Sequence, residues 1–205
     1  MHLEIVVTGP LGVNTYILEK NGMAVVVDAG GNEEEIEEYL NSKGLSLAAL
    51  LNTHGHFDHI GAIAPLMKKF SVPFYMHEDD SFLLPQGQKV MQMYGFGDME
   101  TPAVTHGITH GQKIELGGIE IEVIHTPGHT PGGCCFYIKE LGCVITGDTL
   151  FLESVGRTDF PYSSTQSLVD SINDRLFTLD DATVVYPGHG AESTIGHEKN
   201  LNPFM

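Results

Sequence analysis

Apolar and polar positions change period several times along this chain, and the changes outline its elements. Through the first thirty residues, short runs rich in Val and Ile alternate with turn residues. This predicts strands at Glu4–Thr8, Asn14–Glu19 and Met23–Asp28. Asn21-Gly22, between the last two, is a two-residue hairpin signal. The period then lengthens. Asn32 with Glu35 three residues on reads as a capping box, and Glu33, Glu34 and Glu35 suit the positive end of a helix dipole. Ile36, Tyr39 and Leu40 give that helix an apolar face, and Gly44 stops it.

Leu47–Asn52 is continuous enough in apolar character for a strand buried on both faces. Gly61–Phe70 has helical spacing through Ile63, Ala64, Met67 and Phe70, with Pro65 either kinking the helix or lying close to its start. Val72–Met76 reads as a further strand. Residues 81–106 lack a clean period but carry Phe82, Leu84, Met91, Tyr94 and Phe96 among glycines and prolines. Such a stretch is expected to cover a pocket or to join the core.

The second half repeats the alternation. Lys113–Leu116 and Ile119–His125 form a predicted hairpin around Gly117-Gly118, followed by strands at Cys134–Ile138 and Cys143–Thr146. A helix starts near Ser163 or Ser164 with Leu168, Ile172 and Leu176 on one face. A strand at Thr183–Tyr186 and a short helix at Ile195–Leu201 complete the pattern. Strand clusters separated by helices in both halves, without a repeat or a linker, predict one layered α/β domain over residues 1–205.

Composition narrows the function. With 41% hydrophobic and 18% charged residues in 205, the chain has the means to bury a core. Ten Lys and Arg against 27 Asp and Glu give −17, which opposes a phosphate backbone and argues against a nucleic-acid partner. The opening MHLEIVVTGP has no basic n-region, and no run of eighteen apolar residues occurs, so neither a signal peptide nor a membrane span is expected. Three cysteines (Cys134, Cys135, Cys143) form no regular framework, which fits a reducing cytoplasm.

The candidate chemistry lies in residues 53–59, Thr-His-Gly-His-Phe-Asp-His, where His54, His56, Asp58 and His59 crowd together. Imidazole and carboxylate suit zinc, iron or manganese, and two ions sharing a compact site would explain the crowding. Three later strand ends empty into glycine-containing turns that each present a further donor. These are His129 in HTPGHTPGG, Asp148 in TGDTLF and His189 in YPGHG. Turns at strand ends can converge from distant parts of a chain.

In these motifs, together with Asp28 in VVVDAG, the chain resembles the metallo-β-lactamase superfamily over nearly its whole length. The resemblance implies a four-layer αββα sandwich. It also implies that His54, His56 and His129 hold one metal, that Asp58, His59 and His189 hold a second, and that Asp148 bridges them. Asp28 would orient the ligands from behind. GDTLF followed by VGRTDFP, with the tail TIGHEKNLNPF, is similar to small glyoxalase II-like hydrolases. These cleave thioesters such as S-D-lactoylglutathione by attack of a hydroxide held at a binuclear site.

That resemblance implies two divalent ions, with zinc first and iron or manganese as alternatives, and a small-molecule, glutathione-linked thioester as partner. Asp58 and Asp148 would act in catalysis. Arg157 is expected to contact a substrate carboxylate, with a pair to Asp159 as the competing role. The sequence departs from the full-length enzymes in ending at Met205, without their C-terminal helical domain, and in placing Asp159 at a tyrosine position. The rival functions are a hydrolase of another ester or lactone, and a persulfide dioxygenase using one iron on His54, His129 and Asp148. His125, Cys134 and Cys135 are expected to pack rather than to react.

Overall fold

Alternate residues of one strand enter different cores. In the computed structural model, which describes residues 1–205, Val25 and Val27 point into a cluster between two sheets, while Val26 points outward under helices. Period-two alternation with both faces buried is what makes these strands apolar throughout.

The first sheet runs in sequence order: β1 (His2–Thr8), β2 (Val13–Lys20), β3 (Met23–Val27), β4 (Ser46–Leu51), β5 (Phe74–Met76) and β6 (His106–Gly107). Its first three strands are antiparallel, and β3 through β6 are parallel. The second sheet is built from β7 (Lys113–Leu116), β8 (Ile119–His125), β9 (Cys134–Ile138) and β10 (Cys143–Gly147). After a small hairpin of β11 (Leu150–Phe151) and β12 (Ser154–Val155), the second sheet is completed by β13 (Val184–Pro187) and β14 (Ser193–Thr194). Within it, β10 and β13 are parallel, joined through a helical crossover.

Three apolar layers hold the structure. Tyr16, Leu18, Ile121, Val123, Phe136 and Ile145 fill the space between the sheets. The outer face of the first sheet packs under α1 (Glu33–Lys43) and α3 (Ile63–Phe70) through Ile36, Leu40, Ile63 and Leu66. The outer face of the second packs under α5 (Thr165–Ser171), its π-helical continuation Ile172–Leu176, and α6 (Ile195–Leu201). The layer order is helix, sheet, sheet, helix. No helix is long and apolar enough to cross a membrane.

Three local expectations need correction. Asn32 takes the N-cap position of α1 but does not form the capping box. It adopts a left-handed conformation (φ 53°) with no side-chain cap. Its Oδ1 instead accepts from the Gly9 amide at 3.0 Å while its amide donates to Glu35 at 2.7 Å, tying α1 to the β1–β2 turn.

The predicted 61–70 helix is α3 alone, preceded by a separate short helix, α2 (Phe57–Ile60). Pro65 falls in the first turn of α3, where a missing N–H costs no hydrogen bond.

The stretch without a clean period contains α4 (Leu84–Tyr94). Gly87 obscured it. A Cβ there would lie 2.4 Å from Met99 Cε, so glycine leaves room for the Met99 side chain against α4.

Candidate metal centre

Four strands end at the same edge of the sandwich. The chain leaves β4 into Asn52-Thr53-His54, β8 into the turn bearing His129, β10 into Asp148, and β13 into Gly188-His189. The His189 turn is held from the first sheet by Asn14, whose amide donates to the Pro187 and Gly190 carbonyls at 3.0 Å each.

The structure brings the seven donors together in two groups. His54, His56 and His129 form one, and Asp58, His59 and His189 the other. Asp148 stands between them. Its Oδ2 lies 3.5 Å from His129 Nε2, and its Oδ1 lies 3.4 Å from His59 Nε2 and 3.8 Å from His189 Nε2. Asp58 Oδ2 is 3.3 Å from His189 Nε2 and 3.7 Å from His59 Nε2.

Each inward nitrogen of the first group is fixed by what its ring does on the other side. His129 Nδ1 donates to the Arg157 carbonyl at 2.8 Å, so its Nε2 faces the site as a lone pair. His56 is turned the other way, with Nε2 on the Tyr162 hydroxyl at 2.8 Å and Nδ1 inward. His54 Nδ1 lies 3.1 Å from Thr53 Oγ1, whose own hydroxyl donates to Asp28 Oδ2 at 2.6 Å. The inward nitrogens then sit 2.9 and 3.1 Å apart. Tetrahedral donors about 2.0–2.1 Å from zinc would be spaced by about 3.3 Å, close to what is seen.

Behind the second group, Asp28 is fully buried. It accepts from the Thr53 amide at 2.7 Å and from His59 Nδ1 at 3.0 Å, which aims His59 Nε2 at the site. That Nε2 and Asp148 Oδ1 are both buried without a hydrogen-bond partner. Orphaned buried polar atoms are costly, and a cation between them would satisfy both. Gly188 completes the cradle, since a Cβ there would come within 2.3 Å of Asp148 Oδ1 and 2.8 Å of His59 Cε1.

The electrostatics are those of a site short of positive charge. Burial, aided by neighbouring imidazoles, holds His54 well below its ordinary value and brings His56 down to about 3. Both therefore keep a free lone pair at neutral pH, as metal binding requires. Burial also opposes charge on His59, but Asp148, Asp58 and Asp28 outweigh it and hold that ring well above its ordinary value. Burial would raise Asp148, yet the histidines, His59 foremost, keep its carboxyl well below the usual range. A proton on His59 thus occupies the electrostatic role of a cation.

Three contributors gave no signal in the sequence. Asp80, fully buried, accepts from the Gly55 amide (3.0 Å), Thr130 Oγ1 (2.7 Å) and the Gly132 amide (2.6 Å), linking the loop of His54 and His56 to that of His129. Tyr162 anchors His56, and the Phe160 ring lies 5.0 Å from that of His56. Above the donors opens a cavity of about 430 Å³, with His56, Asp58, His129, Asp148 and His189 at its base.

Arg157 also borders the cavity. Its Nε and Nη2 meet the two oxygens of Asp159 at 2.6 Å each, with both side chains 64% exposed. His125 stands apart, donating to the Pro131 carbonyl and stacking on His77 at 4.3 Å with rings 5° from parallel. The three cysteines are buried and unpaired.

Comparison with known proteins agrees with this geometry. The family model described as metallo-beta-lactamase superfamily matches residues 8–189. A probable metallo-hydrolase of Bacillus subtilis, YqgX, is 35% identical over 96% of this chain and 94% of its own. The hydroxyacylglutathione hydrolase GloC of Haemophilus influenzae is 35% identical over 100% of this chain and 98% of its own. Among solved structures, TTHA1623 in a di-iron-bound form superposes with a TM-score of 0.90 at 36% identity, covering 98% of this chain and 100% of the other.

Proposed function

The chain belongs to the metallo-beta-lactamase superfamily, and from that premise we propose that this metal-dependent hydrolase works with two ions and cleaves thioesters. The observation that carries the two-ion reading is the division of Asp148, one oxygen toward each histidine group, with Oδ1 and His59 Nε2 left orphaned without a second cation. A mononuclear iron oxygenase on His54, His129 and Asp148 gives no role to the second donor group of Asp58, His59 and His189.

His54, His56 and His129 would hold one ion, Asp58, His59 and His189 the other, and Asp148 both. When bound, such ions supply a nucleophilic water at neutral pH, lowering its pKa from ~15.7 towards ~7, and positive charge where an oxyanion develops. Five imidazoles and two carboxylates without a thiolate accept zinc, iron or manganese. Zinc is the first choice, and the di-iron form of TTHA1623 supports iron.

The protein's part is placement. Asp148 fixes the spacing of the two groups, Asp28 holds His59 with its Nε2 inward, Tyr162 holds the His56 ring with its Nδ1 inward, and Asp58 can orient the attacking water from beside His189. A thioester suits a site without a spare protein acid, because a thiol of pKa ~8.5 departs as its anion far more readily than an amine. The relation to GloC supports a glutathione thioester, with S-D-lactoylglutathione as the first to try. Arg157 can meet a substrate carboxylate by exchanging it for Asp159, because so exposed a pair is worth little, about 0–1 kcal/mol.

The test is metal-stripped protein reloaded with zinc, iron or manganese, followed for thiol release from S-D-lactoylglutathione and oxygen uptake on glutathione persulfide. Thiol release that reaches full rate only at two equivalents supports the proposal. Oxygen uptake at one equivalent of iron, without hydrolysis, rejects it.

A further inference from the structure

The cavity beside the metal centre has walls of unusual chemistry. On one side, the rings of Phe57, Tyr94 and Phe96 lie nearly parallel, with centroids 5.9–6.4 Å apart and planes within 21°. On the other, Phe160 and Tyr162 stack at 5.4 Å with planes 10° apart, and Phe82 meets Tyr162 edge-on. Both walls begin at the donors. Phe57 sits between His56 and Asp58 in the chain, and Phe160 lies 5.0 Å from His56 and 5.9 Å from His129.

These aromatics are also left in water. Tyr94 is 62% exposed and Phe96 38%, and both line the cavity; Phe82, 41% exposed, packs against Tyr162. Clustered exposed aromatic surface at the mouth of a cavity marks a binding surface. Two of its polar groups are paired within the protein, Tyr162 with His56 and Arg157 with Asp159.

We propose that this cavity is an acyl subsite selecting apolar groups, aromatic ones above all, next to the scissile carbonyl. The proposal rests on the thioester reading and names the half of the substrate that enters. Thiol carriers such as glutathione are polar and charged, and would leave their own groups unpaired against these rings. An apolar acyl chain instead covers the exposed rings and gains face-to-face contact with them. A lactoyl group, small and hydroxylated, uses little of about 430 Å³.

The experiment is a series of N-acetylcysteamine thioesters (acetyl, lactoyl, propionyl, butyryl, phenylacetyl) hydrolysed by the zinc-loaded protein. Burial of one methylene corresponds to about fourfold, so kcat/KM should climb by about tenfold or more from acetyl to butyryl, with phenylacetyl highest and lactoyl below propionyl. A double variant, Tyr94→Ala with Phe96→Ala, should flatten the series. Both residues are partly or well exposed, and circular dichroism checks that the variant folds. A flat or falling series overturns the proposal, as does a rising one that the variant leaves unchanged.

If no thioester turns over, the thioester reading fails separately, and calorimetry then decides the subsite. Phenylacetate binding the zinc-loaded protein at least tenfold more tightly than acetate, with the difference lost in the variant, sustains an apolar subsite. Equal affinities remove it.

Discussion

Asp80→Asn is the substitution with the most to say about how this site is held. Asp80 Oδ2 accepts from the Gly55 amide and Thr130 Oγ1, and Oδ1 accepts from the Gly132 amide. Asparagine keeps one acceptor oxygen. Whichever way its amide turns, an NH2 group faces a backbone N–H, and that pairing repels. Hydrogen bonds to a charged group are worth about 1.5–3 kcal/mol each. Losing one outright and weakening the others should cost about 3 kcal/mol, a large part of a typical stability of about 5–15 kcal/mol but short of unfolding the protein. With a urea dependence of about 1–3 kcal/mol per molar, the apoprotein midpoint should fall by about 1–3 M.

The same change loosens Gly55, between His54 and His56, and Thr130, next to His129. Zinc affinity at the first histidine group should therefore fall by about 10–100-fold, as for other residues that orient ligands from behind. Competition against a chromophoric chelator measures it on protein shown to be folded. A variant that loses stability yet binds zinc as tightly as wild type would refute the positioning argument. One matching wild type in both would refute the hydrogen-bond account as well.

Other perturbations follow from the same geometry. Asp28→Asn removes the acceptor that aims His59 and should weaken the second ion by about 10–100-fold and the first by less, since His54 reaches Asp28 only through Thr53; the reading is a drop from two bound zinc ions towards one at limiting metal. Gly188→Ala should prevent occupation of the second group, because its methyl lies within 2.3 Å of Asp148 Oδ1; two ions bound at wild-type affinity would show that the loop yields freely. The apoprotein should lose stability as pH falls from the ordinary histidine value towards about 3. His56 stays neutral in the fold over that window and His54 does likewise, so the unfolded chain binds more protons. His59, held high, is charged throughout this window and adds no slope there. A urea midpoint that stayed level or rose on acidification would contradict the argument. Chelation should abolish hydrolysis and lower the melting temperature together, with both restored by zinc.

The histidine run and the strand-end turns were legible because metal ligation requires particular donor types, and those donors are rare enough to stand out one by one. The layered fold was legible for a related reason: strands buried on both faces, such as Met23–Val27, need continuous apolar runs. Asp80 left no trace, since it ends Glu78-Asp79-Asp80, an acidic stretch indistinguishable from a solvated turn, and its meaning comes from loops 25 and 50 residues away. Tyr162 is similar, a lone aromatic whose hydroxyl matters only through a contact 106 positions distant. Helix α4 was obscured by Pro85 and Gly87, residues that ordinarily argue for a loop. Asn32 followed the right local pattern, but the Gly9 amide competed successfully for its side chain.

The central claim, that seven side chains from four strand ends hold two cations with Asp148 between them, is tested most directly by anomalous diffraction from crystals of the zinc-loaded protein. The account predicts two peaks per chain, one among His54, His56 and His129 and one among Asp58, His59 and His189, each touching one oxygen of Asp148. A single peak at saturating zinc, or two peaks with Asp148 turned away, would contradict it.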